Sequence, residues 1–288
     1  MPLQTLRLLR RCRPGLLFVQ NPSLALTTLT ILCRPVFGYR LVVDAHNEGV
    51  RPYDRPYAFV RWLTRRLLKS ADVTIVTNDA LAEDVRAAGG RPVTLPDSLP
   101  VVPDSASTHP RTGDTPDVAV IATFRRDEPI DAIIKAAAML PDVRFAFSGP
   151  AERYRRAPGA MPPNVRLTGF LDDSEYWRLL AQAKVVCDLT LKPDCLVCGA
   201  YEALALGRPM VLSDNPATRD LFGSAAILTG NSPEEIAAAL RRAIEERERL
   251  ESNASELKES FRTRWRVEAD TVWRTIEAQA ARGRQAAA

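Results

Sequence analysis

Few histidines and few cysteines limit the metal and redox chemistry open to this chain. The 288 residues include 2 His and 5 Cys, and only Cys195 and Cys198 form a close pair. A structural zinc site needs four ligands, but the other thiols form no second pair, and His46 and His109 lie far away in sequence. A redox Cys-x-x-Cys at the start of a helix would fit the spacing, although nothing else here matches a thioredoxin-like domain. We therefore expect no metal, no cofactor and no disulfide framework, which favours a reducing compartment.

Long apolar runs are also missing. Crossing a bilayer takes about 20 apolar residues, and the most apolar early run, residues 23–33, is shorter and rich in Thr. Residues 1–15 do not combine an apolar core with a small-residue cleavage site, as a signal peptide would. We expect a cytoplasmic protein, with peripheral contact to the inner face of the membrane as an open alternative.

Charge is unevenly distributed along the chain. The first 70 residues contain 12 basic and 3 acidic side chains, whereas the remainder has 27 basic and 32 acidic ones. A basic surface can face anionic lipid, a phosphorylated substrate or nucleic acid, and the alternative is a solvated Arg-rich face. Because no nucleic-acid-binding motif accompanies the charge, we expect no nucleic-acid partner.

Short β-rich apolar runs alternate with helical patterns throughout. In the first half, strands are predicted at 16–19, 41–44, 73–77 and 92–95, with helices at 22–34, 56–69 and 79–88. In the second half, strands are predicted at 117–123, 143–149, 165–169, 185–190, 209–213 and 225–229, with helices at 128–139, 173–183, 199–206, 233–247, 249–262 and 265–283. The alternation predicts an α/β fold of two Rossmann-like domains, each a parallel sheet flanked by helices.

The domain boundary is predicted from a change of composition. Residues 96–116 are rich in Pro, Ser, Thr and Asp, which is typical of a linker. We therefore predict a first domain over 1–108 and a second over 109–264.

Residues 194–209, DCLVCGAYEALALGRP, place two carboxylates around the start of a helix. Gly199 lies where the helix opens, and the N–H groups there suit a diphosphate. Asp194 and Glu202 are eight residues apart, so both can face one cleft and accept hydrogen bonds from sugar hydroxyls. The alternative is that Asp194 caps the helix and Glu202 is a solvated helix residue.

The stretch YEALALGRPMVLSD resembles the donor-binding motif of two-domain (GT-B) glycosyltransferases, chiefly glycosyltransferase family 4 (group 1). The resemblance implies that Glu202 binds the nucleotide ribose. It also implies that Asp194, where the family has a glutamate, contacts the donor sugar as a catalytic residue. The backbone of Cys198 and Gly199 would meet the phosphates.

Two further segments resemble the same family. Residues 165–190 are similar to the strand, turn and helix ahead of the motif, which implies that Phe170 and Leu171 border the base. Residues 117–150 are similar to the first strand, loop and helix of the nucleotide domain, and we include Gly149 at their end in the donor site.

The loop that contains Arg125 and Arg126 has a different set of basic residues from the corresponding loop of the family. By the resemblance, Arg125 and Arg126 would grip the diphosphate, but the family's lysine is absent at the usual spacing. Arginine can bind phosphate through two hydrogen bonds, so the role can still be filled.

Residues 16–23 and 40–49 resemble the family's acceptor domain. The likeness places His46 near the reacting sugar, with Asp44 and Glu48 as weaker candidates; the alternative is that His46 only caps a loop. The segment 265–288 resembles the C-terminal helix that packs back on this domain.

The family's first strand and Gly-rich loop have no counterpart in this sequence. The N-terminal domain is therefore shortened, and three explanations stay open: a start upstream of Met1, a reduced enzyme, or impaired activity.

Taken with this resemblance, the residues predict transfer of a hexosyl group from a GDP- or UDP-sugar to a glycan or lipid-linked acceptor, in surface polysaccharide synthesis for example. Fixed positive groups such as Arg125 and Arg126 would stabilise the departing diphosphate without a metal. Likeness to family 4 implies retention, whereas TFRRDEP (123–129) also resembles inverting β-mannosyltransferases. Two alternatives stay open: a degenerate nucleotide-sugar-binding protein, and a GT-B-type epimerase, which would need more acid–base groups than two histidines offer.

Overall fold

The computed structural model describes residues 2–52, 57–104, 115–154 and 161–285. The chain forms two compact units, Met1–Asp97 with Arg264–Ala288, and Ser98–Thr263. The predicted boundary between 108 and 109, and His109 with it, lies outside the described residues.

The first unit contains a parallel four-stranded sheet in the order β1-β2-β3-β4 within the described residues. Its strands are β1 (Leu16–Asn21), β2 (Arg40–Ala45), β3 (Val73–Val76) and β4 (Pro92–Thr94). The helices are α1 (Pro2–Cys12), α2 (Leu24–Phe37), α3 (Asn47–Val50), α4 (Ala58–Ser70) and α5 (Asp79–Ala87).

The second unit contains a parallel six-stranded sheet in the order β10-β9-β8-β5-β6-β7 within the described residues. Its strands are β5 (Val118–Ile121), β6 (Phe145–Ser148), β7 (Val165–Gly169), β8 (Val185–Asp188), β9 (Met210–Ser213) and β10 (Ala226–Thr229). The helices are α6 (Ile130–Ala138), α7 (Asp173–Gln182), α8 (Cys198–Leu206), α9 (Pro216–Phe222) and α10 (Pro233–Glu245), and a 3-10 turn covers Ala151–Arg153. Helix α11 (Arg247–Gln285) begins in the second unit, and its residues from Arg264 onward belong to the first.

Strand order in the second sheet reverses once. The strands β5, β6 and β7 are added in one direction, after which β8 pairs with β5 on its other side and β9 and β10 follow. In open α/β sheets, ligands bind beyond the carboxyl ends of the strands at such a reversal. A ligand is therefore expected beside the loops that follow β5 and β8.

The predicted fold class, an α/β fold with two parallel sheets flanked by helices, is confirmed. Three short or amphipathic helices were not predicted: α1, α3 and α9. The two helices predicted at 249–262 and 265–283 are wrong, because they form the single helix α11. No Gly or Pro interrupts residues 247–282, so nothing in the sequence stops the helix there.

Both faces of the first sheet are covered. Along β2, Leu41 and Val43 point to the face covered by helices α4 and α5, and Val42, one step out of phase, points to the other. Val272 and Ile276 of α11 pack on Val42, and they are 6% and 3% exposed. Within the described residues, no helix has both the length and the apolar character needed to cross a bilayer.

Replacing Ile276 with Ala should destabilise the first unit. The side chain is almost fully buried against the sheet, and truncating such a residue costs about 2 to 5 kcal/mol. Thermal unfolding followed by circular dichroism would measure the loss. The control is Val267→Ala, on the same helix but 63% exposed. Equal melting temperatures for the two variants would contradict the packing described above.

Candidate functional site

The residues predicted for the second unit gather at one edge of its sheet. They follow the carboxyl ends of β5, β6, β7 and β8 or lie in α8: Arg125, Arg126, Gly149, Phe170, Leu171, Asp194, Cys198, Gly199 and Glu202. This edge includes the reversal of strand order, where the fold places ligands. His46 follows β2 in the first unit.

A half-buried carboxylate shapes the loop after β5. Glu128 accepts hydrogen bonds from the N–H groups of Thr123 and Phe124, each at 2.9 Å, and from the Thr123 hydroxyl. Burial raises the pKa of Glu128, although these bonds act in the opposite direction. The loop turns at Phe124, whose φ of 55° is unusual for a non-glycine residue, and leaves Arg125 and Arg126 exposed.

An ion pair joins the loops on the two sides of the reversal. Lys192 Nζ lies 2.9 Å from Asp127 Oδ2, and the Leu191 N–H donates to the Asp127 carbonyl at 2.7 Å. Arg125 Nε lies 3.8 Å from Asp127 Oδ1. Lys192 was not predicted, because a lysine was expected only near Arg125 and Arg126. The signal in the sequence is a lysine in the loop that follows the buried strand β8.

Gly149 allows the backbone of one strand end to pass close to that of another. Its φ is 127°, and a Cβ atom there would lie 1.7 Å from the Ala122 carbonyl oxygen. Its N–H donates to the Gly169 carbonyl at 3.0 Å. The glycine thus lets the ends of β5, β6 and β7 approach one another, since no side chain fits at this position.

The start of α8 is fixed by Asp188 at the end of β8. Asp188 Oδ2 accepts a hydrogen bond from the Gly199 N–H at 3.0 Å, and a Cβ atom on Gly199 would lie 2.5 Å from the same oxygen. The N–H group that we expected at the diphosphate is therefore already bonded to a carboxylate. Val197 is the N-cap residue of α8 and makes no side-chain capping bond.

Glu202 lies one turn into α8 and is half-buried. It accepts a hydrogen bond from the Tyr176 hydroxyl of α7, so it is not a solvated helix residue. Burial raises the pKa of Glu202, although the bond from Tyr176 lowers it. Tyr176 was also missed, since α7 shows no local signal of a partner in α8.

The buried Asp188 carboxyl keeps a proton at neutral pH. Burial raises its pKa to about 8, and the charges of Glu128 and Glu202 add to the rise. The hydrogen bond from the Gly199 N–H acts in the opposite direction and lowers the pKa. A neutral carboxyl group and two acidic neighbours can donate and accept hydrogen bonds together, as sugar hydroxyls require.

The thiols are poorly suited to redox or metal chemistry. Burial raises the pKa of Cys195 to about 11, with Lys192 acting against it, so little thiolate forms at neutral pH. Among the described residues, no three His, Cys, Asp or Glu side chains cluster as a metal site would need.

Asp194, next to Cys195, has a φ of 52°, which places its backbone in the left-handed region.

In the first unit, His46 lies between two carboxylates. It is the N-cap residue of α3, but its side chain makes no capping hydrogen bond. Its Nε2 is 3.8 Å from Asp44 Oδ2, and its Nδ1 is 3.9 Å from Asp97 Oδ2. Burial raises the pKa of Asp97, and the charge of Asp44 adds to the rise, whereas His46 lowers it. Asp97 was not predicted because it lies within the Pro-rich stretch that was interpreted as a linker. Glu48 lies in the first turn of α3.

Replacing Asp188 with Asn should change how stability depends on pH. The folded protein holds a proton on Asp188 that the unfolded chain releases above its ordinary pKa of 3.8, so the stability that this proton provides is lost as pH rises towards about 8. Asn does not titrate and can still accept the Gly199 bond. The melting temperature of the variant should therefore rise relative to the wild type between about pH 5 and about pH 8.

The control for this measurement is Asp142→Asn. Arg241 lowers the pKa of the exposed Asp142 to about 2, so this group stays ionised throughout the same pH range. Parallel profiles for wild type and Asp188→Asn would contradict a protonated Asp188.

Comparison with known proteins identifies the family of this chain. Residues 125–277, more than half of the chain, match the family model described as glycosyl transferase-like. Residues 1–96 match the glycosyl transferase 4-like domain. No curated protein matches the chain in sequence.

Solved structures share the fold at low identity. Sucrose-phosphate synthase from Thermosynechococcus elongatus is 18% identical with a TM-score of 0.77, over 96% of this chain and 77% of that one. HepE from Anabaena, in complex with UDP and glucose, is 16% identical with a TM-score of 0.76, over 94% and 80%. An α,α-trehalose-phosphate synthase (UDP-forming) from Burkholderia vietnamiensis is 14% identical with a TM-score of 0.71, over 97% and 76%. With its two parallel α/β units and both family models matched, the chain belongs to the glycosyltransferases of GT-B fold.

Proposed function

We propose that this glycosyltransferase moves a hexosyl group from a UDP-sugar to a glycan or lipid-linked acceptor. The observation on which the proposal rests is the carboxyl edge of the second sheet, where the loop with the exposed Arg125 and Arg126 follows β5 and the helix with Glu202 follows β8, on the two sides of the reversal of strand order. UDP is favoured over GDP because the HepE structure contains UDP and glucose and the trehalose-phosphate synthase is UDP-forming.

Each part of the donor has a proposed partner in the second unit. Phe170 is 86% exposed after β7, which leaves an aromatic face open beside Leu171 for the base. Glu202, held by Tyr176, would accept hydrogen bonds from the ribose hydroxyls. Asp194 would orient the sugar.

The leaving diphosphate sets the main electrostatic demand of the reaction. When the bond between the sugar C1 and the phosphate oxygen breaks, negative charge develops on that oxygen, and fixed cations stabilise it. Arg125 and Arg126 are proposed for this role, with the backbone around Cys198 beside them and no metal required. We propose retention of configuration, by likeness to family 4, and we propose that His46 contacts the sugar or the acceptor.

Titration with nucleotides tests the donor site. The wild type should bind UDP more tightly than GDP, and chelating divalent metal should not change the affinity. Glu202→Gln should weaken UDP binding by about tenfold, because a charged acceptor for the ribose hydroxyls becomes neutral. The same substitution should leave binding of 2′,3′-dideoxy-UDP unchanged, since that ligand lacks the hydroxyls.

The matched control is Glu251→Gln. Glu251 is likewise a partly buried helix residue of the second unit, and its carboxylate pairs with Arg208 at 3.1 Å and Arg247 at 3.8 Å. Absence of binding to both nucleotides would contradict the proposal and favour a degenerate protein. Product formation from labelled UDP-glucose, with the configuration read by NMR, separates a transferase from an epimerase.

We propose that the first unit, which would bind the acceptor, contacts the anionic surface of the inner face of the membrane. Helix α4 exposes Phe59 and Trp62, whose rings stack at 5.9 Å, beside Arg61 and Arg65. Helix α1 exposes further leucines and arginines: Leu3, Leu8, Arg7, Arg10 and Arg11. Apolar side chains flanked by arginine are typical of helices that lie on anionic lipid.

Vesicle co-sedimentation tests the membrane contact. Vesicles containing phosphatidylglycerol should bind the chain, neutral phosphatidylcholine vesicles should not, and salt should weaken the binding. The double variant Arg61→Glu, Arg65→Glu should reduce binding by at least about tenfold, since each cation near the surface contributes about 1 kcal/mol. The control, Arg262→Glu with Arg266→Glu on α11, makes the same change of charge on other exposed residues. Equal losses in both double variants would contradict a specific surface.

A further inference from the structure

Two lysine–aspartate pairs join the same two strands of the second sheet at opposite ends. At the amino end, Lys184 before β8 lies 2.8 Å from Asp117 before β5. At the carboxyl end, Lys192 after β8 lies 2.9 Å from Asp127 after β5. One pair therefore lies at the ligand-binding edge and the other at the opposite edge.

The pairs are alike in their other contacts as well. The Lys184 N–H donates to the Asp117 carbonyl at 3.0 Å, as the Leu191 N–H does to the Asp127 carbonyl at 2.7 Å. Each aspartate also has an arginine close by: Arg144 Nε lies 3.4 Å from Asp117, and Arg125 Nε lies 3.8 Å from Asp127. The backbone bond already links the strands at each end, so neither lysine is needed to hold them together.

The pairs differ in burial. The Lys184 side chain is 38% exposed and that of Lys192 is 12% exposed, whereas the aspartates differ in the opposite sense, at 9% for Asp117 and 25% for Asp127. The buried member of the pair at the carboxyl end is therefore the cation. Withdrawing an ammonium group from water costs free energy, so a partly exposed pair of the Lys184 kind would suffice for structure. In a partly desolvated position a cation attracts an anionic ligand more strongly than it does in open water.

The carboxylate of Asp127 lies between two cations. One of its oxygens is near Lys192 and the other is near Arg125. A diphosphate presents pairs of anionic oxygens to such cations, and lysine and arginine are its usual partners. Asp127 thus balances the charge of two groups that could each bind a phosphate oxygen.

We propose that Lys192, together with Arg125, binds the diphosphate of the donor, and that Asp127 neutralises these cations until the donor arrives. This inference rests on the proposed function and assigns a second loop to the same site. Lys192 is a binding residue, and the bond that breaks during transfer is the one between the sugar and the phosphate it holds.

The test compares two matched variants, Lys192→Met and Lys184→Met. Methionine keeps most of the apolar stem and removes the charge, and both substitutions break a lysine–aspartate pair between the same strands. Calorimetric titration with UDP and with uridine separates diphosphate contacts from all others. Lys192→Met should lower the affinity for UDP by about ten- to a hundredfold and leave that for uridine unchanged, and Lys184→Met should change neither.

Lys192→Arg keeps the charge and should stay within about fivefold of the wild type for UDP. Asp127→Asn removes the competing anion and should raise UDP affinity, which keeps the proposal testable if Lys192→Met does not fold; an unchanged or lower affinity would then overturn it. If the wild type binds UDP and the two methionine variants behave alike, the role of Lys192 is refuted and the proposed function stands. If the wild type binds no UDP, both fall.

Discussion

The hydrogen bond from the Gly199 N–H to the buried carboxyl group of Asp188 is the contact on which the geometry of the site depends. It ties the end of β8 to the start of α8 and therefore fixes where Glu202, one turn later, emerges. The approach is so close that a side chain at 199 would meet both Asp188 and Ile121. A glycine that looks like a phosphate-binding residue in the sequence is in this structure required by packing against a carboxyl group.

That contact also sets the charge balance of the edge. Three acidic groups, Glu128, Asp188 and Glu202, have pKa values raised chiefly by burial. A site with this much buried acid is unfavourable for a diphosphate unless cations lie beside it. Arg125 and Arg126 after β5 are exposed to water, whereas the Lys192 side chain, paired with Asp127, is 12% exposed. Because Asp188 is neutral, it adds no negative charge to this edge. The edge therefore repels phosphate less than the number of its acidic residues suggests.

Sequence patterns predicted the elements of this fold better than the contacts within the site. The helix predicted at 233–247 and the alternating strands rest on local sequence patterns, and the structure has them. Lys192, Tyr176 and Asp97 escaped prediction because their partners are distant in sequence: Asp127, Glu202 and His46. The Gly199 bond was missed for the same reason, since the pattern that marks a helix start does not reveal which group its N–H meets. The roles of the donor and acceptor residues remain predictions.

The core of the first unit depends on helix α11, which lies at the far end of the chain from the strands that it covers. A parallel sheet must be covered on both faces, and the crossover helices of the first unit cover one face. Val42 and Val73 on the other face are buried by Val272 and Ile276, from the far end of the chain. The first sheet therefore cannot complete its core until the last helix has formed. Because residues of the same uninterrupted helix up to Thr263 belong to the second unit, any change that breaks α11 should affect the stability of both units.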